Sequence, residues 1–269
     1  MKREIAANGV ILTLEEAGTG VPVVGLHGLT ATRRYLLMGS HALQRHGHRV
    51  ILYDARGHGE SSPAADGDYS YSALAADLVA VLDSLGLARV VLAGASMGAH
   101  TALRVALEQP QRIAALALVT PGYDPRRSPA RLERWDALAE ALRDGGPERF
   151  VEVFDVKRLP AAWREVVATV VEQRLARHRH PLAVADALVA VPRSRPFESF
   201  ADLAQISAPT LVVGSRDEAD PDHPLATAAA YAQAIPGAEL LVEEEGRSPI
   251  AWQGGQLSRA IIALAARSA

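Results

Sequence analysis

The chain has 269 residues, 49% hydrophobic and 22% charged, with a formal net charge of -3. These values fit one large α/β domain, or a core carrying an insertion, and exclude global disorder. With no cysteine, disulfides, thiolate metal sites and a cysteine nucleophile are excluded, and the mild charge balance calls for neither nucleic acid nor an anionic membrane as partner.

The start, MKREIAANGV, is charged and is not followed by an apolar stretch of signal-peptide length. No apolar run approaches the ~18 residues that span a bilayer. A cytoplasmic location is the expectation. Residues 3–16 alternate as one or two antiparallel strands at a sheet edge. VPVVGLHG (21–28) and HRVILYDARGHG (48–59) are apolar runs that end in glycine, as buried strands opening into loops do. YSALAADLVAVLDSLGL (71–87) has helical spacing, with Gly86 as a stop signal. ARVVLAGASMGAHTALRVALEQP (88–110) reads as strand, tight turn and helix, and RIAALALVTPG (112–122) as a further strand. Such alternation predicts βαβ units and a mostly parallel central sheet flanked by helices.

The rhythm changes after Asp124, and no convincing strand is found up to Phe200. RLERWDALAEALRD (131–144) and AAWREVVATVVEQRLARHRH (161–180) read as helices, punctuated by Gly145-Gly146-Pro147 and Pro181. This predicts an all-helical cap over residues 123–204, entered through a linker at 125–131. The core is divided into residues 1–122 and 205–269. Sheet rhythm resumes at PTLVVGSRD (209–217), followed by a helix near 224–235, a strand at 238–244 and a final helix at 254–267.

The sharpest motif is Gly94-Ala95-Ser96-Met97-Gly98, a G-x-S-x-G between a strand and a helix. That context marks a nucleophile elbow, in which the serine is strained and its neighbours must lack side chains. The following helix aims N–H groups and its positive dipole end at the site. The predicted oxyanion donors are the N–H groups of Met97 and of Leu29, in the loop His27-Gly28-Leu29-Thr30. His27 itself is expected to brace that loop.

Together with Asp54-Ala55-Arg56-Gly57-His58-Gly59-Glu60-Ser61 and Gly214-Ser215-Arg216-Asp217, these motifs make the chain similar to the α/β-hydrolase superfamily. The likeness is to its serine esterase and lactonase branch with a helical cap, and it covers nearly the whole chain. It implies a structural His58, Asp217 as triad acid with Asp124 as the runner-up, and a histidine after the last strand within G-H-S-P. This sequence departs from the family there: the frame reads Gly246-Arg247-Ser248-Pro249. Arginine, with pKa above ~12 and no acceptor lone pair, cannot deprotonate a serine.

His223, on the loop that follows the late strand, is the candidate for a relocated base, because loops after neighbouring strands face one crevice. Its orienting acid is left open among Asp217, Asp220 and Asp124. A solvent-facing histidine at a helix start is the competing reading. His100 is expected to be structural, and His178 and His180 to favour solvent. The carboxylates Asp217, Glu218, Asp220 and Asp222 match no calcium or zinc spacing, so no metal and no cofactor is expected, and a solvated turn is the simpler reading. Arg247, Trp135 and Trp163 are candidate substrate-pocket residues.

The expected function is a serine hydrolase of a small ester, thioester or lactone working through an acyl-enzyme. A hydrolase-like ligand-binding protein and a lyase or cyclase that uses only the oxyanion hole stand as alternatives. The expected partner is a small-molecule substrate, with neither nucleic acid nor membrane; a homodimer is left open.

Overall fold

The structure is a computed structural model that describes residues 1–126, 132–216 and 220–268. Its centre is an eight-stranded sheet in the order β1-β2-β4-β3-β5-β6-β7-β8. The strands are β1 (Lys2–Ala7), β2 (Val10–Ala17), β3 (Val21–Leu26), β4 (His48–Tyr53), β5 (Val90–Ala95), β6 (Ile113–Val119), β7 (Thr210–Val213) and β8 (Glu239–Leu241). β1 pairs antiparallel with β2, and β2 antiparallel with β4; all later pairs are parallel.

The apolar runs explain the layering. All seven residues of β6 are buried, as are the four of β7, so helices must cover both faces of the sheet. The helices are α1 (Ala42–Arg45), α2 (Tyr71–Ser84), α3 (Met97–Glu108), α4 (Leu132–Phe154), α5 (Ala161–Leu175), α6 (Pro181–Ala190), α7 (Leu225–Ala234) and α8 (Gly254–Ala265). Two hydrophobic clusters result. One joins α2, α3, α7 and the helices between β6 and β7, through residues such as Leu78, Leu103, Leu142 and Tyr231. The other packs α1 and α8 against the opposite face, through Leu43, Val213 and Ile261.

Three local outcomes differ from the sequence reading. The helical run at 131–144 ends where Gly145-Gly146-Pro147 announces, at a non-helical Gly146 (φ 65°, ψ -155°), but a second helical stretch that the sequence reading did not assign follows the kink and runs to Phe154. Pro181 opens a helix, α6, at a position where a missing N–H costs nothing. The strand expected over 238–244 pairs only at Glu239–Leu241. There Glu243 turns its buried carboxylate toward the β7 loop, accepting from the Arg216 N–H (2.6 Å) and the Ser215 hydroxyl (3.1 Å). Within the described residues between β6 and β7 every regular element is helical. Most of the linker at 125–131 lies outside the described residues.

Candidate active site

Ser96 stands between β5 and α3 with φ 48° and ψ -112°. A non-glycine residue holds such a conformation only where its surroundings over-determine it. Here the Ser96 N–H donates to the Val119 carbonyl at 2.9 Å, and the Ser96 carbonyl accepts from the His100 N–H at 3.1 Å. The flanking glycines allow the fit. A Cβ on Gly94 would lie 2.2 Å from the Gly98 carbonyl oxygen, and one on Gly98 would lie 2.5 Å from that of Leu26. Neither obstacle is a side chain that can swing away. Gly98→Ala is therefore expected to cost at least ~2 kcal/mol of stability, read as a lower urea midpoint. An unchanged midpoint would mean that the turn is looser than these contacts require.

The opposing loop is braced by histidines. His27 accepts from the Ala55 N–H through Nε2 (2.9 Å) and donates from Nδ1 to the Gly28 carbonyl (2.8 Å). His58 reaches the Leu29 carbonyl through Nε2 (2.6 Å) and the Arg56 carbonyl through Nδ1 (2.8 Å). Burial holds His58 below its usual pKa, and a neutral ring donates to only one of these carbonyls at a time. The Leu29 carbonyl thus points into the protein. Neither its N–H nor that of Met97, at the first position of α3, has a backbone acceptor among the described residues. The start of a helix leaves the Met97 N–H unmet, and the Leu29 N–H lies in the loop after β3, so neither is committed to a backbone carbonyl.

His178 corrects an expectation. It is buried at the end of α5, where Nδ1 accepts from the Gly59 N–H (2.9 Å) and Nε2 donates to the Thr30 carbonyl (3.2 Å). Its Arg-rich flank suggested solvent, but the chain turns inward there and lays the helix end on the two loops. His100 is buried and structural. It lies against Tyr71 Oη (2.9 Å), and its Nε2 accepts from the Gly122 and Tyr123 N–H groups at 3.2 Å each.

The central geometry belongs to His223. Its Nε2 lies 2.8 Å from Ser96 Oγ, and its Nδ1 lies 2.9 Å from both carboxylate oxygens of Asp220. Asp220 fixes the Nδ1–H tautomer, which leaves Nε2 as an acceptor facing the serine hydroxyl. Gly122 makes room: a Cβ there would come within 3.0 Å of the imidazole Cδ2. Burial pulls the His223 pKa down, but the charge of Asp220, its hydrogen bond and the charge of Asp222 outweigh it. The net shift is upward, with Arg174 acting against it.

The loop bearing His223 is tied to the helical segment above. Asp222 accepts from Arg134 of α4 (2.5 Å to Oδ1) and from Arg158 (2.9 Å to Oδ1), with a further contact from Arg158 to Oδ2. Burial alone would raise the Asp222 pKa, yet these two guanidinium groups hold it well below the carboxylate range. The solvated turn expected here is instead a clamped one. No group of His, Asp or Glu among the described residues is arranged to hold a metal ion.

The other candidates fall as follows. Asp217 lies outside the described residues. Asp124 is taken up by Arg126, whose Nε and terminal nitrogen each donate at 2.9 Å. Arg247 is a surface residue with its side chain 74% exposed and Nε 3.9 Å from Glu244. That corrects its place as a pocket candidate, because the Gly246 turn directs it to solvent. Trp163 meets Trp252 edge to face at 5.8 Å. Trp163 and Trp135 both pack, partly buried, against the larger core cluster.

An open, mostly parallel sheet with a strained serine at a strand–helix turn defines the hydrolase class of α/β proteins. The chain belongs to the alpha/beta hydrolase fold family, whose model matches residues 21–253. It is 36% identical over 182 residues to a putative carbamate hydrolase RutD of Variovorax paradoxus, a match that spans 66% of each chain. It is similar over 100% of its length, and 99% of the other chain, to the thermophilic esterase of Thermogutta terrifontis (TM-score 0.84, 28% identity). The enol-lactonase of Burkholderia xenovorans shares the fold (TM-score 0.79, 24% identity, 97% of this chain and 99% of that one). No helix among the described residues is long and apolar enough to cross a membrane.

Proposed function

We propose that the protein is a serine hydrolase of small carboxylic esters, thioesters or lactones, with its general base on the β7 loop. The observation that carries this reading is the relay from Ser96 Oγ to His223 Nε2 (2.8 Å) and from His223 Nδ1 to Asp220 (2.9 Å). Ser96 attacks the carbonyl carbon while His223 takes its proton, and Asp220 steadies the imidazolium that forms. The Leu29 and Met97 N–H groups hold the oxyanion of the tetrahedral intermediate. As the intermediate collapses, His223 returns the proton to the leaving alcohol, thiol or lactone oxygen. His223 then deprotonates a water that attacks the acyl-enzyme, releasing the acid and restoring Ser96. The family membership and the similarity to the Thermogutta esterase agree with acyl transfer. A carbamate, the substrate in the name of the Variovorax relative, offers the same carbonyl to the same attack.

The test is turnover of a p-nitrophenyl ester, with an initial burst of p-nitrophenol marking the acyl-enzyme. The pH dependence has a definite sign. His223 works only when neutral, and its pKa is raised. Activity should therefore fall on acidification with a midpoint above the ordinary histidine value of about 6.5. Asp220→Asn removes the largest raising influence, so that limb should move to lower pH. The plateau rate should also drop, on the order of 10⁴-fold, because the correct tautomer is no longer held. A limb that stays in place in Asp220→Asn would show that some other group controls it.

A further inference from the structure

We infer that Arg174 binds a carboxylate carried by the substrate, so that the ester cleaved at Ser96 is a carboxylate-bearing one; this rests on the serine-hydrolase reading above. Arg174 lies in the last turn of α5. Its Nε is buried without a hydrogen-bond partner, and the guanidinium has no ion pair among the described residues. The fully buried arginines behave differently. Arg33 is held by Asp54, Glu15 and Glu60, and Arg56 by Asp77 through two nitrogens. A sheltered cation without a counterion is costly to keep, and such a cost is tolerated where a ligand supplies the missing charge.

The position of Arg174 says which ligand. The end of α5 is fixed over the oxyanion loop by the His178 bond to Thr30 and by Arg177 Nε, which donates to Tyr35 Oη at 3.3 Å. From there the Arg174 charge acts on both members of the relay: it lowers the proton affinity of His223 and is itself favoured by Asp220. Asp220 gives both oxygens to the His223 ring and so is already engaged. The guanidinium fork suits a planar carboxylate, which it can hold through two parallel hydrogen bonds. A phosphate dianion would meet stronger repulsion from Asp220. Arg174 thus offers, from a helix end docked on the loop that carries Leu29 and Thr30, the one charge that a monoanionic ester needs.

The test compares two isosteric pairs by kcat/KM at pH 8: monomethyl glutarate with methyl 5-methylhexanoate, and 4-acetoxybenzoate with 4-acetoxybenzamide. The pairs place the carboxylate on the acyl or the leaving-group side. The wild type should favour the anionic member of one pair by ~10–100-fold. Arg174→Met should bring that ratio close to one, and Arg174→Lys should retain part of it. Glutarate titrated calorimetrically should bind the wild type and bind Arg174→Met more weakly by a similar factor. The Tm of Arg174→Met should be equal or higher, since the lost charge had no partner; a structural arginine would lower it. A wild type that prefers the neutral member of both pairs, or a ratio unchanged in Arg174→Met, overturns the inference. If no ester is cleaved at all, the hydrolase reading fails by itself, and the titration still decides: Arg174-dependent glutarate binding supports the anion site, and its absence overturns it.

Discussion

Ser96→Ala is expected to lower kcat on an activated ester on the order of 10⁶-fold and to abolish the burst. The size follows from the role: without Oγ no acyl-enzyme forms, and the oxyanion donors are left to assist a bulk water. The strained turn should survive, because alanine removes only the hydroxyl, and Ser96 owes its conformation to backbone bonds with Val119 and His100. Thermal stability should be unchanged or slightly improved. Measurable ester turnover in Ser96→Ala, with the same pH profile, would mean that the chemistry does not pass through this residue.

His223→Ala should cost nearly as much, ~10⁴–10⁶-fold, since nucleophile and base act as one unit and their losses do not add. The double variant should be no slower than either single one. This prediction separates the relay from its competitors within the chain. The other histidines near the site are committed elsewhere: His27, His58 and His178 to the loops around Leu29, and His100 to Tyr71 and the Gly122 turn. Burial holds His27, His100 and His178 down at a pKa of about 3, which fits their structural hydrogen bonds. None of them can take over as base without abandoning a buried partner.

The parallel sheet was legible because its strands are buried on both faces, so β3, β5, β6 and β7 stand out as apolar runs cut by glycine. The elbow was legible for a related reason: two glycines are demanded by backbone contacts, and such demands leave a local mark. The edge strand β8 was overestimated because its apolar pattern continues into Val242 while the chain is already leaving the sheet to bury Glu243. Within the β7 loop the sequence could point to a histidine and a set of nearby carboxylates, but not to the one that turns toward the ring. Asp220 is singled out by geometry alone. The clamp on Asp222 was invisible, since Arg134 and Arg158 lie 88 and 64 residues away. Arg174 was hidden in the same way, inside a helix end whose many arginines look solvated until the His178 contact shows the chain folding inward.

The central claim is that the ring activating Ser96 comes from the β7 loop and that the β8 loop contributes nothing to that step. The most direct measurement is the rate at which a fluorophosphonate labels Ser96, located by peptide mass spectrometry, in the wild type, His223→Ala and Arg247→Ala. Wild type and Arg247→Ala should label at the same rapid rate, and His223→Ala should be slower by several orders of magnitude. Labelling of His223→Ala at the wild-type rate, or its loss in Arg247→Ala, would contradict the account.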